Sequence, residues 1–220
     1  MAKAVTRENY LLHKLHSLFG IIPIGFYMLQ HLALNSFSLM GEDKFNGVIN
    51  FFDQMPKHVL WTLEIVVIWT PLLFHAILGL VIVNRATPNS SHPKYAWSQN
   101  RMFGFQRWTG VFIFIFLCFH VASTTVLAKT QGNTVLLQYT AWHERLTGGP
   151  YQVALLVFYM AGILACAYHL AYGVWNFCIR WGITISEAAQ LRIQKFAFAL
   201  FILITILGWS ALAGFIRPIG

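Results

Sequence analysis

The chain has 220 residues, of which 57% are hydrophobic, 16% aromatic and only 10% charged, too little polar surface to solvate a globule of this size. A net charge of +8 would suit a nucleic acid, but the basic residues sit at the ends of apolar runs and form no stripe on a soluble face, which argues against that partner. Five runs reach the roughly twenty apolar residues that cross a hydrocarbon core, so residues 1–220 are expected to form one all-α transmembrane domain with short loops.

The first run, Ser17 to Leu39, is too long for a signal-peptide core, carries Gln30 and His31 in its second half and lacks a small-residue cleavage site, so it reads as a retained helix. Pro23 inside it, and Pro71 inside the second run from Leu60 to Val83, each remove an internal hydrogen bond and bend the helix. The third run spans Trp108 to Leu127, the fourth Val153 to Trp175 and the fifth Phe196 to Phe215.

Lys3, Arg7 and Lys14 precede the first run; Arg85, Lys94, Arg101 and Arg107 separate the second from the third; Arg180, Arg192 and Lys195 separate the fourth from the fifth. The other two loops carry Lys44, Lys57, Lys129 and Arg145 alongside Glu42, Asp43, Asp53 and Glu144. The positive-inside rule then places the N-terminus in the cytoplasm and the C-terminus outside. Trp61, Trp108, Trp142, Trp175, Trp181 and Trp209 fall near run ends, as an interfacial belt would. Cys118, Cys166 and Cys178 form neither a paired framework nor a CxxCH motif, so any bound cofactor is expected to be non-covalent.

His31, His75, His120 and His169 fall one to a run, separated by 44, 45 and 49 residues. An ionisable side chain in hydrocarbon is costly without a partner, and four at regular spacing call for one shared role. Each lies slightly past the middle of its run, roughly 4 to 8 Å off the midplane at the rise of a helix. Alternation of helix direction puts His31 and His120 in the outer half and His75 and His169 in the cytoplasmic half. Haem iron takes two axial ligands on opposite faces, so the expected pairs are His31 with His120 and His75 with His169, holding two stacked b haems about 10 Å apart.

Gly79 and Gly173 follow a histidine by four residues, and Gly20 and Gly110 precede His31 and His120 by eleven and ten. They are expected to clear room for the porphyrin rings. The offsets of 89 and 94 residues between alternate histidines hint at a pseudo-twofold arrangement. His16 and Ser17, and Arg180 three turns beyond His169, sit where a haem propionate of the cytoplasmic-side site would lie; interfacial anchoring and orientation are the plain alternatives. His58, His92 and His143 read as solvated or interfacial loop residues, and His13 has no clear reading. A transporter using the histidines as a proton relay, without haem, is a competing class.

The strings LHSLFGIIPIGFYMLQH at 15–31, FQRWTGVFIFIFLCFH at 105–120 and HLAYGVWNFCIRWGIT at 169–184 resemble the cytochrome b membrane anchor of succinate:quinone oxidoreductases, in its single-chain, five-helix, two-haem form. The resemblance covers essentially the whole chain. It implies the four histidines as axial ligands, a fifth helix without one, and a bacterial cytoplasmic membrane location. It also implies flavoprotein and iron-sulfur subunits on the cytoplasmic face and exchange with a membrane quinone, menaquinone being expected; higher oligomers are compatible with it. An acidic residue in the first external region is implied in quinone proton exchange: Asp53 matches best, with Glu64 as the fallback and a solvated aspartate as the alternative. Some fumarate-reducing relatives carry a glutamate two residues before the fourth-helix histidine; here Ala167 stands there, which favours succinate oxidation. A haem b anchor of another respiratory enzyme, such as a formate dehydrogenase or hydrogenase, would not be expected to share the WGIT string.

Overall fold

The computed structural model describes residues 7–85, 94 and 98–217, with side chains from residue 10 onward. Lys3, the Arg7 side chain and His92 lie outside the described residues. Five helical segments are long and apolar enough to cross a membrane: Tyr10–Met40, Lys57–Arg85, Ser98–Gln131, Gln152–Arg180 and Glu187–Phe215. Each extends past its apolar run, because a helix continues into the polar interface as long as its sequence lacks a stop signal. No strand occurs among the described residues.

Pro23 divides the first span into α1 (Arg7–Ile21) and α2 (Pro23–Asn35). The neighbouring backbone bonds, from Ile22 N–H to the Leu18 carbonyl and from Phe26 N–H to the Ile22 carbonyl, bracket the one that proline cannot make. The second span comprises α4 (Lys57–Leu63), a wide π-type turn over Glu64–Trp69 and α5 (Thr70–Arg85), after the outlying helix α3 (Glu42–Asp53). Pro71 therefore does not break its helix, since the wide turn just before it absorbs the missing bond. The third span is α6 (Ser98–Val121), a second π-type turn over Ala122–Val126 and α7 (Leu127–Gln131).

The fourth span, α9 (Gln152–Arg180), is the hub: α1, α6 and the fifth span, α10 (Glu187–Phe215), all pack on it. Small residues permit this in a solvent where apolar burial gives no drive between helices. A methyl on Gly162 would sit 2.4 Å from the Phe116 ring, and one on Gly208 would sit 2.4 Å from Ile163. Ala167 and Ala171 are fully buried. The fifth span also packs on α2, and its end is pinned by the Ser38 hydroxyl donating to the Ala211 carbonyl (2.7 Å).

Between the first two spans and between the third and fourth, short loops were expected, but folded helices stand there. α3 and α8 (Tyr139–Thr147) cap one end of the bundle. Phe45, Tyr139, Trp142, Leu146 and Phe215 bury one another there, Asn46 accepts from Tyr139 N–H (2.8 Å) and the Tyr139 hydroxyl donates to the Gly214 carbonyl (2.7 Å). His143 is accordingly not a solvated loop residue: its Nδ1–H donates to the Phe215 carbonyl (2.8 Å), satisfying an end carbonyl of the fifth span. Trp142 and Trp175, expected in an interfacial belt, are buried, whereas Trp61 and Trp108 are exposed. The three cysteines are unpaired.

Candidate functional site: two histidine pairs

The bundle brings the four span histidines together two by two. The rings of His31 and His120 have centroids 5.9 Å apart, and those of His75 and His169 are 6.1 Å apart. Two imidazoles on opposite sides of one metal atom, each nitrogen about 2.0–2.1 Å from it, have ring centres about 6 Å apart. Both pairs meet that spacing.

In three of the four rings Nδ1 is engaged and Nε2 is left for a ligand. His75 Nδ1–H donates to the His16 carbonyl (2.8 Å) and His169 Nδ1–H to the Gln106 carbonyl (3.0 Å), while His120 Nδ1 lies 3.1 Å from the Tyr159 hydroxyl. Such a bond fixes the tautomer and orients a metal-binding imidazole. His31 differs: its Nε2 lies 3.3 Å from the Asn35 amide, whose shorter bond goes to the His31 carbonyl (2.7 Å).

The carbonyls that hold His75 and His169 already serve helix bonds, so each needs an unshielded lone pair. On a helix the side chain four residues on lies over the carbonyl, and here those positions are Gly20, four after His16, and Gly110, four after Gln106. A methyl at Gly20 would fall 2.5 Å from His75 Cε1, and one at Gly110 would fall 3.0 Å from His169 Cε1. Gly173 plays the reciprocal part, four residues after His169, where the Gln106 amide donates to the His169 carbonyl (2.8 Å). Gly79 faces His16 Cε1 at 3.2 Å. The glycines thus face the pairs, and their nearest protein neighbours are imidazoles, an amide and an isoleucine methyl.

His16 stacks flat on His75, with centroids 4.0 Å apart and planes 5° apart. Its Nδ1 is buried without a protein partner, as are Gln106 Oε1, Trp175 Nε1 and Asn176 Oδ1. Buried polar atoms normally find partners, and His16 and Gln106 belong to the residues that hold the His75/His169 pair, so that pair fits a large ligand with a polar edge. Ser17 is already engaged, donating to the Lys14 carbonyl (2.8 Å) and accepting from Trp181 Nε1 (3.1 Å). Arg180 is exposed and donates to the His13 carbonyl (3.3 Å), which joins the starts of the first span and the end of the fourth.

The acidic candidates part company. Asp53 ends α3 and pairs with Lys57 (3.0 Å) at an exposed turn. Glu64 begins the first wide turn, is half-buried and pairs with Lys129 of the third span. Sequence reasoning missed Tyr159 and Gln106, which lack a motif; their signal is a polar side chain on a histidine-bearing or glycine-bearing span.

Tyr159→Phe removes the group that orients His120 and leaves the other pair untouched. A partner of this kind is worth about 10–100-fold in affinity. The expected result is that a haem held by the His31/His120 pair would be lost at least about tenfold faster in detergent, by absorbance, while one held by His75/His169 would be retained.

No protein-family profile matches the chain. It is 33% identical over 210 residues, 96% of this chain and 98% of its relative, to the succinate dehydrogenase cytochrome b558 subunit of Bacillus subtilis (strain 168). Full-length agreement at that identity, together with five membrane-crossing helices, makes this a multi-pass protein of the bacterial cytoplasmic membrane. The chain belongs to the family of cytochrome b membrane subunits of succinate dehydrogenase.

Proposed function

We propose that the chain carries electrons across the membrane between an iron-sulfur subunit on the cytoplasmic side and a membrane quinone, by way of two b haems. Its N-terminus and the His75/His169 pair lie on the cytoplasmic side, and the capped end faces outside. The observation that carries this is the pair spacing of 5.9 and 6.1 Å on alternate spans, supported by the relationship to a cytochrome b558 subunit.

Bound haem supplies one-electron chemistry at potentials set by its ligands and surroundings. The chain's own residues hold and shield it. His31 with His120 and His75 with His169 offer the axial nitrogens. Backbone carbonyls of His16 and Gln106, bared by Gly20 and Gly110, keep two of those imidazoles in one tautomer. His16, Ser17 and Arg180 stand at the cytoplasmic edge, where propionates would meet His16 Nδ1 and the Arg180 guanidinium. At the outer end, Asp53 and Glu64 are the carboxylates assigned to the two protons that quinone reduction takes up.

The flavoprotein and iron-sulfur subunits perform the dicarboxylate chemistry, and menaquinone is the expected acceptor. Ala167 is fully buried between the fourth and fifth spans, with no carboxylate to carry a proton past His169, in keeping with succinate oxidation. The complex purified from membranes should show two b haems per chain, both reduced by succinate, with flavin and iron-sulfur subunits copurifying. A preparation with no reduced b band, or one haem per chain, overturns the reading.

A further inference from the structure

The hydrogen bonding of His120 does not end at Tyr159. With Nε2 turned to a ligand, His120 Nδ1 carries the proton, and the Tyr159 hydroxyl, 3.1 Å away, accepts from it. That hydroxyl must then place its own proton, and Ser123 is within its reach. Ser123 is loosely held: its hydroxyl lies 3.3 Å from the His120 carbonyl, to which Thr124 already donates at 2.5 Å. Both hydroxyls stand in the wide turn Ala122–Val126, and turns of this kind recur at functional sites.

Ser123 and Tyr159 line a cavity of about 240 Å³ between the third and fourth spans, beside α8. Phe119, Leu127 and Leu155 supply its apolar wall, and Arg145 of α8 its one charge. Phe119 is 44% exposed, so the cavity reaches the lipid-facing surface. The Arg145 guanidinium lies over the Trp142 ring, 5.4 Å from its centre, and enters neither of the two ion pairs among the described residues. A ring contact uses no N–H bond to oxygen, so the guanidinium keeps its donors for an anion. No carboxylate lines the cavity.

An apolar wall open to acyl chains, an uncompensated cation and a hydroxyl with a spare proton together fit a lipid whose head group is a net anion. A phosphodiester takes the two-pronged bond that arginine forms, and it accepts from the Ser123 hydroxyl as well. A head group with an ammonium of its own would bring a second cation to a cavity without a carboxylate to receive it. Free phosphate would leave the apolar wall uncovered.

We propose that this cavity binds one anionic phospholipid, its phosphate held by Arg145 and Ser123 and its chains against Phe119 and Leu155. The phosphate then ends a line of donors running from His120 Nδ1–H through the Tyr159 and Ser123 hydroxyls. An anion at the end of that line makes the imidazole a more basic ligand, which favours the oxidised form of a haem that His120 holds. This coupling rests on the haem role proposed above; the lipid site does not.

The test titrates the purified complex in detergent with phosphatidylglycerol or phosphatidylcholine and counts bound lipid by native mass spectrometry. The first phosphatidylglycerol should bind at least about tenfold more tightly than the first phosphatidylcholine, the scale of a charge-assisted bond. Arg145→Gln should erase that preference, and so should Leu155→Trp, which fills the cavity and changes no polar group. Lys57→Gln, which removes a cation at an exposed turn, should keep it. In bilayer discs, phosphatidylglycerol in place of phosphatidylcholine should lower the potential of one b component more than the other, the one lost first from Tyr159→Phe, and Ser123→Ala should abolish the difference. Equal affinity for the two lipids, or a preference that survives either cavity variant, overturns the site. Displacement of phosphatidylglycerol by inorganic phosphate would make it a free-anion site, and displacement by a soluble naphthoquinone a quinone site; either overturns the lipid assignment. An equal shift of both components overturns the coupling to His120. If Arg145→Gln fails to assemble, Leu155→Trp carries the test alone. Failure of the haem reading looks different: the lipid preference would stand in a complex with no second b component.

Discussion

His169→Ala should remove one of the two reduced b bands, leave the other, and stop succinate-driven quinone reduction. The ring of His169 lies 6.1 Å from His75 and on a different level from His31 and His120, which pair with each other at 5.9 Å. Losing one imidazole leaves His75 unable to supply both axial positions, while the other pair keeps its ligands and, on the His120 side, its Tyr159 bond. The check is haem per chain and a redox titration of the purified complex: one component should vanish and the other hold its potential. His31→Ala should give the complementary result. Equal loss of both components from either variant, in protein that still assembles, would show that the histidines do not act in these pairs.

Gly20→Val should abolish the His75/His169 haem as completely as removing a ligand, although Gly20 supplies no ligand. A single added carbon already falls 2.5 Å from His75 Cε1, closer than two carbons approach, so the imidazole must leave its place. The same substituent covers the His16 carbonyl that accepts from His75. Gly110→Val should act alike through Gln106 and His169, with a methyl contact of 3.0 Å. Gly104→Val and Gly47→Val are the controls, since a methyl at either position meets nothing within 4 Å. They change helix propensity only slightly, in the favourable direction and by well under about 1 kcal/mol. Haem content by pyridine extract separates the two groups of variants, and unchanged content in Gly20→Val would mean that the glycine carbonyl device does not govern the site.

The spans and the pairing by depth were legible because hydropathy and helical rise act over twenty residues and average out local detail. His31 with His120 and His75 with His169 followed from counting alone. The capping helices were not legible, because Glu42–Asp53 and Tyr139–Thr147 are polar enough to pass for loops, and their burial depends on Phe215, more than sixty residues beyond. For the same reason Trp142 looked interfacial and His143 solvated. The wide turns at Glu64 and Ala122 leave no compositional mark, so the meeting of Glu64 with Lys129 could not be read from their positions. That Gly20 and Gly110 bare the carbonyls holding His75 and His169 was not legible, since periodicity says which side of a helix is open and not which side chain enters.

A ligand oriented by a main-chain oxygen has an unusual hereditary profile. Whatever amino acid occupies position 16 or 106, the oxygen that His75 or His169 needs is still present, so mutation of the contacting residue leaves the contact intact. The selective burden moves one helical turn along, to Gly20 and Gly110, which touch nothing by a side chain of their own. The side chains of His16 and Gln106 answer to their own contacts, but invariance at 20 and 110 is the signature that the main-chain device would leave in descendants of the chain.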